Sequence, residues 1–173
     1  MSFRRLPSLG SILLLCVGIA LLLANRDGDA GPSERGRKDD RRIEAYVVEV
    51  VDGDTARMRI AGREQSVRYI GIDTPESVIP GEAPECFGKR AAALNRELVE
   101  GEEATLVLGA ERRDRYDRLL AYVYAGDLFV NAEIVRRGFA RTLAIAPNTD
   151  FADRFARLQQ AAANAGRGLW GRC

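Results

Sequence analysis

The stretch VRYIGIDTPE, residues 67–76, begins as an apolar strand, carries a guanidinium at Arg68 and ends in Asp73, Thr74, Pro75 and Glu76. Upstream, VVDGDT places Asp52 and Asp54 two residues apart at a strand end, where side chains at i and i+2 share a face. Downstream, ERRDRYDRLLAYVY sets Arg118 directly before an apolar strand, among Arg112, Arg113 and Arg115. Taken singly, each piece has an ordinary explanation: Asp-Gly is a turn dipeptide, a carboxylate beside a proline serves as a cap, and a charge run is a solvated loop. Taken together, they point to chemistry. Separated carboxylates such as Asp54 and Asp73, with backbone carbonyls, suit a hard, oxygen-seeking cation such as calcium, and the forked donors of arginine suit phosphate. A metal, a carboxylate and two guanidiniums are the parts of a phosphodiester cleavage site.

Composition narrows the alternatives. The chain of 173 residues contains no histidine, which removes a Ser-His-Asp triad, histidine-ligated zinc and imidazole general bases together. Its formal net charge of +1 is uneven: residues 1–42 hold eight basic against five acidic side chains, leaving eighteen against twenty beyond them. The remainder lacks the diffuse basicity that drives non-specific nucleic-acid binding, so affinity for phosphate must come from local arginines or a bound cation. Only Lys38 and Lys89 among the basic residues are lysines, a bias that coding preference explains as well as phosphate recognition does.

The elements that must position these groups follow from periodicity. From Ala45, AYVVEVV is β-branched and apolar, DGD turns, TARMRI alternates, AGRE turns again and QSVRYIGID makes a third strand. The pattern then changes to helical spacing in ECFGKRAAALNRELVEG, with Phe87, Ala91, Leu94 and Leu98 on one face and Gly101 as the stop. ATLVL and LLAYVYAGDLFV give three more extended segments, with AGD as a hairpin turn. NAEIVRRG reads as a short Asn-capped helix ending at Gly138, and a last helix after APNTD carries Phe151, Phe155, Leu158 and Ala162 on one face, before Trp170. This order suits a small Greek-key barrel with an inserted helix, an open α+β sheet being the alternative.

Five ordered blocks, VVDGDT, RYIGIDTPE, DRYDRLLAYVY, VNAEIVRRGFA and NTDFADRF...GLW, resemble the staphylococcal nuclease (thermonuclease) family over about residues 44–171. The resemblance implies an oligonucleotide-binding (OB-fold) barrel of five strands with three helices, acting as a calcium-dependent endonuclease on DNA and RNA that leaves 3'-phosphate ends. It implies that Asp54 and Asp73 are calcium ligands with help from the Thr74 carbonyl. Glu76 acts through water, as general base or by orienting the attacking hydroxyl. Arg68 and Arg118 hold the phosphate and stabilise charge on five-coordinate phosphorus.

Three features complicate the match. Arg68 and Asp73 are five apart and face opposite sides of a regular strand, so a bend or bulge is required, and Gly71 is the place for it. TLAIAP stands where the family's best-known member has tyrosines, which removes stacking from that side and leaves Arg115 and Tyr116 as weaker substrate-binding candidates. Asp117 stands where a glycine is common, beside Arg118, and is expected to compete for that arginine. The rival reading is a catalytically inactive barrel module that binds nucleic acid or protein, but such copies lose the charged set that is present here.

Residues 6–25 carry no charge and follow Arg4 and Arg5, as in a secretory signal or a single-pass membrane anchor. The poor cleavage site in LLLAN favours an uncleaved anchor, and the lipobox alternative fails because Leu15 precedes Cys16. Arg35, Arg37, Lys38, Arg41 and Arg42, beyond the segment, outnumber Arg4 and Arg5 before it, so a cytoplasmic domain behind a reversed anchor stays open. The expected organisation is a signal or anchor (1–25), a flexible charged linker (26–42) and a nuclease-like domain (43–173), exported and either membrane-anchored or secreted. No protein partner is implied and a monomeric domain is expected. In an oxidising compartment, Cys86 and Cys173 form a candidate disulfide pinning the C-terminus.

Overall fold

The computed structural model describes residues 41–78, 81 and 83–173. The expected signal or anchor lies outside the described residues, as does the linker apart from Arg41 and Arg42. Among the described residues no helix is long and apolar enough to cross a membrane.

Three antiparallel strands open the fold: β1 (Arg42–Asp52), β2 (Thr55–Ile60) and β3 (Arg63–Tyr69). Their alternation drives Ala45, Val47, Val50, Ala56, Met58, Ile60, Val67 and Tyr69 inward, while Arg57 and Arg59 stay in solvent. The third strand ends earlier than its apolar pattern suggests. Ile70 turns the chain out of the sheet, and Gly71 to Asp73 form a separate strand, β4 (Gly71–Asp73).

Helix α1 (Gly88–Val99) follows, with Ala91 and Leu94 buried and Leu98 half-buried as its periodicity predicts, whereas Phe87, expected on the same face, precedes the helix at the cap position with φ 76°. Strand β5 (Glu103–Arg113) is twice as long as ATLVL alone indicates, and takes Arg112 and Arg113 out of the expected loop. It pairs antiparallel with β1 and with β6 (Leu119–Ala125), which reaches back to pair parallel with β3 at Val67 to Tyr69. That last pairing closes five strands into a barrel in the order β1, β2, β3, β6, β5, the oligonucleotide-binding arrangement with no open sheet edge. A short β7 (Leu128–Phe129) completes the hairpin through AGD.

The remaining elements pack against the barrel: α2 (Val130–Arg136), β8 (Arg141–Leu143), α3 (Ala152–Asn164) and the four-residue α4 (Leu169–Arg172). Strand β8 pairs with β4, with Asp73 directly opposite Arg141. Tyr122, Phe129, Phe151 and Phe155 form an aromatic cluster where α3 meets the barrel, with Phe151 edge-to-face on Tyr122 and Phe129, and Phe155 tilted against Phe129.

The expected Asn cap of the second helix is not one. Phe129 occupies the cap position, and the fully buried Asn131 instead accepts from the Val123 amide (2.9 Å) and donates to the Ile70 carbonyl (2.9 Å). It thereby satisfies two backbone groups that β6 and the Ile70 turn leave unpaired, a tertiary task worth more to the fold than a cap. Cys86 and Cys173 form a disulfide, with their Cα atoms 5.9 Å apart.

Candidate active site

The site is assembled at one mouth of the barrel by the β1–β2 turn, the end of β3 and the chain that follows it. Asp54 sits in the turn, with its carbonyl accepting from the Tyr69 amide (2.9 Å). Its carboxylate is buried and engaged by short bonds: Oδ2 accepts from the Thr74 amide (2.7 Å) and hydroxyl (2.9 Å), and Oδ1 from the Thr55 hydroxyl (3.1 Å). Burial pushes the Asp54 carboxyl above the usual range, and the Arg68 charge and the Thr74 donors only partly offset it.

Arg68 links the two carboxylates that the sequence singles out. Its Nη1 forms an ion pair with Asp54 Oδ2, and its Nη2 donates to Asp73 Oδ1 (2.7 Å). The parity problem is solved by a turn rather than by a bulge. With β3 ending at Tyr69 and Gly71 at φ 81°, β4 swings Asp73 back over Arg68. Gly71 is required twice over, since a Cβ there would also stand 2.5 Å from the Phe155 ring.

Glu76 lies two residues beyond Thr74, behind the buried Pro75. Its pKa is raised to about 7, first by a hydrogen bond shared with Asp52, then by burial and by the charges of Asp52 and Asp54. Asp52 also accepts from the Ser77 amide (3.3 Å), so it organises this segment as well as the turn. Asn95 fixes that turn from behind, donating to the Asp52 carbonyl (2.9 Å) and accepting from the Tyr69 hydroxyl (3.1 Å).

The loop between β5 and β6 presents Arg118, which lines the same cavity as Arg68. Asp114 holds it, accepting from the Arg118 amide on Oδ1 (2.9 Å) and from Nε on Oδ2 (2.7 Å). Burial opposes the Asp114 carboxylate, but the Arg118 side chain and the Arg118 and Tyr116 amides outweigh it and bring its pKa below the usual range. Asp117 does not compete for Arg118: it pairs with Arg113 at 3.4 Å, on the other side of the loop. Tyr116 is exposed, with the Arg115 guanidinium 4.7 Å and the Arg118 guanidinium 5.5 Å from its ring centre.

Arg68, Arg115, Tyr116 and Arg118 line one cavity of about 390 Å³ together with the aliphatic side chains of Leu120, Leu143 and Ile145. Arg68 and Arg118 both line this cavity, and the Arg68 guanidinium is also paired with the buried Asp54 carboxylate. A family model described as "Staphylococcal nuclease homologue" matches residues 66–172, which include Arg68, Asp73, Glu76 and Arg118. The chain belongs to the staphylococcal nuclease family. The thermonucleases of Staphylococcus intermedius and Staphylococcus hyicus are 30% and 28% identical to it, over 93% and 92% of this chain and 96% and 95% of their own. Endonuclease YncB of Bacillus subtilis (strain 168) is 35% identical over 69% of this chain and 58% of its own length.

Within this staphylococcal nuclease homologue, the expected metal-ligating set is all oxygen: the Asp54 and Asp73 carboxylates and the Thr74 carbonyl. Among the described residues no three Asp, Glu, Cys or His side chains gather closely enough to hold a cation unaided, so backbone oxygen and solvent must complete a coordination sphere. The donors fit a hard cation in chemical type. A positive charge, the Arg68 guanidinium, already lies between the two carboxylates, and its buried Nη1 lacks a well-aligned hydrogen bond.

The structure thus gathers Asp54, Arg68, Asp73 and Thr74 in direct contact, sets Glu76 beside them through Asp52, and places Arg115, Tyr116 and Arg118 on the cavity that Arg68 also lines. Sequence reasoning missed Asn95 and Asp114. A polar residue four positions after Ala91, on the buried face of a helix, was the signal for the first, and an Asp four residues before Arg118 was the signal for the second.

Proposed function

We propose that the chain is a calcium-dependent endonuclease that hydrolyses phosphodiester bonds of DNA and RNA and leaves 3'-phosphate ends. Membership of a family whose named relatives are thermonucleases and endonucleases supports phosphodiester hydrolysis. The observation that carries the site assignment is Arg68 joined to both Asp54 and Asp73, with Arg118 lining the same cavity as Arg68.

In this reading Asp54, Asp73 and the Thr74 carbonyl hold calcium, which when bound supplies positive charge against the phosphate oxygens and the attacking water. Arg68 and Arg118 donate to the non-bridging oxygens of the scissile phosphate and bind most tightly when charge builds on five-coordinate phosphorus. Glu76 orients water and takes its proton as the new P–O bond forms. The bond from phosphorus to the 5'-oxygen breaks, the 5'-oxygen gains a proton, and the phosphate stays on the 3' side. The aliphatic wall of Leu143 and Ile145 with Tyr116 receives a neighbouring base by apolar contact, which tolerates either nucleic acid. The Cys86–Cys173 disulfide supports placing this activity in an oxidising compartment outside the cytoplasm.

The test is cleavage of single-stranded and duplex DNA and RNA by the purified full chain, in calcium and in chelator, for wild type and E76Q, with the ends mapped. Calcium-dependent cutting to 3'-phosphate ends that E76Q lacks is the expected result. Folded protein that binds oligonucleotides without cutting them would make the chain a binding module instead.

A further inference from the structure

We infer that Glu85 and the Cys86–Cys173 disulfide position Glu76, so that the cleavage rate depends on that cross-link being oxidised. The inference rests on the role proposed above for Glu76.

Glu76 belongs to no strand or helix, and its main chain is clasped by a segment nine residues on. Its amide donates to Glu85 Oε2 (3.0 Å), its carbonyl accepts from the Glu85 amide (3.0 Å), and the Glu85 carbonyl accepts from the Gly88 amide (3.0 Å) that opens α1. The approach is close, since a Cβ on Gly88 would lie 2.1 Å from the Glu76 carbonyl oxygen. Among the described residues the clasp has no packed side chain of its own, and the first one after it is Phe87, edge-to-face on Phe139 at 4.8 Å. Residues 83–86 are all exposed and add nothing to the apolar core.

The disulfide adds a covalent hold at the residue next to Glu85. It joins Cys86, the residue after Glu85, to Cys173 across 87 positions of sequence. The Cys173 end is fixed: its amide donates to the Leu169 carbonyl (3.0 Å), Leu169 is buried, and the Leu169 amide donates to the Gly138 carbonyl (2.9 Å) after α2. A continuous path therefore runs from the packed C-terminus through the disulfide and Glu85 to the backbone of Glu76. A carboxylate that must meet one water against one phosphate is sensitive to sub-ångström placement.

The experiment compares the full chain as wild type, C86S/C173S, E85A, E85Q and E76Q on a single-stranded DNA oligonucleotide in calcium, with near-UV circular dichroism to confirm folding. C86S/C173S and E85A are expected to lose kcat by about tenfold with KM within about twofold. E85Q, which keeps a side-chain oxygen to accept the Glu76 amide, is expected to retain most of the rate. Dithiothreitol, giving two electrons and two protons to the S–S bond and becoming its cyclic disulfide, should bring wild type to the level of C86S/C173S and leave that variant unchanged. Wild-type kcat in folded C86S/C173S, with E76Q inactive, overturns the inference and leaves the nuclease reading standing. Full activity in E76Q removes the role of Glu76 and the inference with it. Should C86S/C173S not fold, equal rates for E85A and E85Q overturn the inference on their own.

Discussion

Arg118 is held by Asp114, four residues back in the same loop, through both its amide and its Nε, and not by its neighbour Asp117. Among the described residues no protein acceptor engages its Nη groups, which remain available for phosphate. Asp114 is therefore an orienting partner for a group proposed to act in the transition state. We expect Asp114→Ala to lower kcat by about ten- to a hundredfold, the worth of one charge-assisted hydrogen bond, with a smaller change in KM. Asp114→Asn, which keeps an acceptor, should lose less. Steady-state kinetics on an oligonucleotide decides it, and an unchanged kcat in D114A would free Arg118 from this dependence.

Asp117 has φ 62°, a left-handed conformation that glycine adopts without strain. Its pair with Arg113 is solvent-exposed and contributes little, and the Arg113 bond to the Asp117 carbonyl (2.7 Å) does not need the side chain. Asp117→Gly should gain about 0.5–1 kcal/mol from lost strain, set against the added freedom of the unfolded chain. Thermal melting should rise by a few degrees, about the shift that such a gain brings. A lower melting temperature would mean that Asp117 supports the loop through its carboxylate.

Alternation in β1, β2 and β3 and helical spacing in α1 were legible because one face of each element is buried, which imprints the period on the sequence. The candidate set stood out only as a group, since each arginine or carboxylate alone has a turn, cap or loop explanation, and the fold does bring Asp54, Arg68 and Asp73 into contact. What escaped were choices between partners that depend on the assembled fold. Nothing local distinguishes Asn131 capping its own helix from Asn131 joining Val123 to Ile70, because both acceptors and donors lie on other elements. Asp117, adjacent to Arg118, looked the better partner until the loop's turn pointed it at Arg113. Glu85 gave no sign of meeting Glu76, since that contact depends on how the chain returns to α1.

The turn at Gly71 is the joint on which the Arg68–Asp73 contact depends. Gly71→Ala adds a Cβ 2.5 Å from the Phe155 ring at a backbone φ of 81°, combining left-handed strain with overpacking. A loss of about 2–4 kcal/mol is expected from the two together. Because β4 must shift to relieve the clash, cleavage should fall even under conditions where the variant is fully folded. Urea unfolding and activity below the transition measure the two effects separately. A variant as stable as wild type would show that the ring yields without cost.

Glu133 in α2 predicts how stability changes in acid. Its buried carboxylate accepts from Arg136 Nε (2.7 Å) and Nη2 (2.6 Å) and from Arg137 Nε (2.6 Å). The Arg136 hydrogen bonds, aided by Arg137 and by both charges, outweigh burial and lower its pKa from 4.5 to about 2. A carboxylate whose pKa is depressed by folding stabilises the native state above its unfolded pKa and loses that contribution as the pH falls through its folded pKa. The window therefore runs from about pH 4.5 down to about pH 2. Both arginines are about half exposed, at 52% and 40%, so solvent screening reduces the effect to about 1–2 kcal/mol. Urea unfolding of wild type and Glu133→Gln across pH 7 to 2 isolates it from other carboxylates such as Asp114, which are common to both proteins. Wild type should be the more stable at neutral pH, with the gap closing through that window, and a gap that stays constant to pH 2 would show that Glu133 is not held as a charged group.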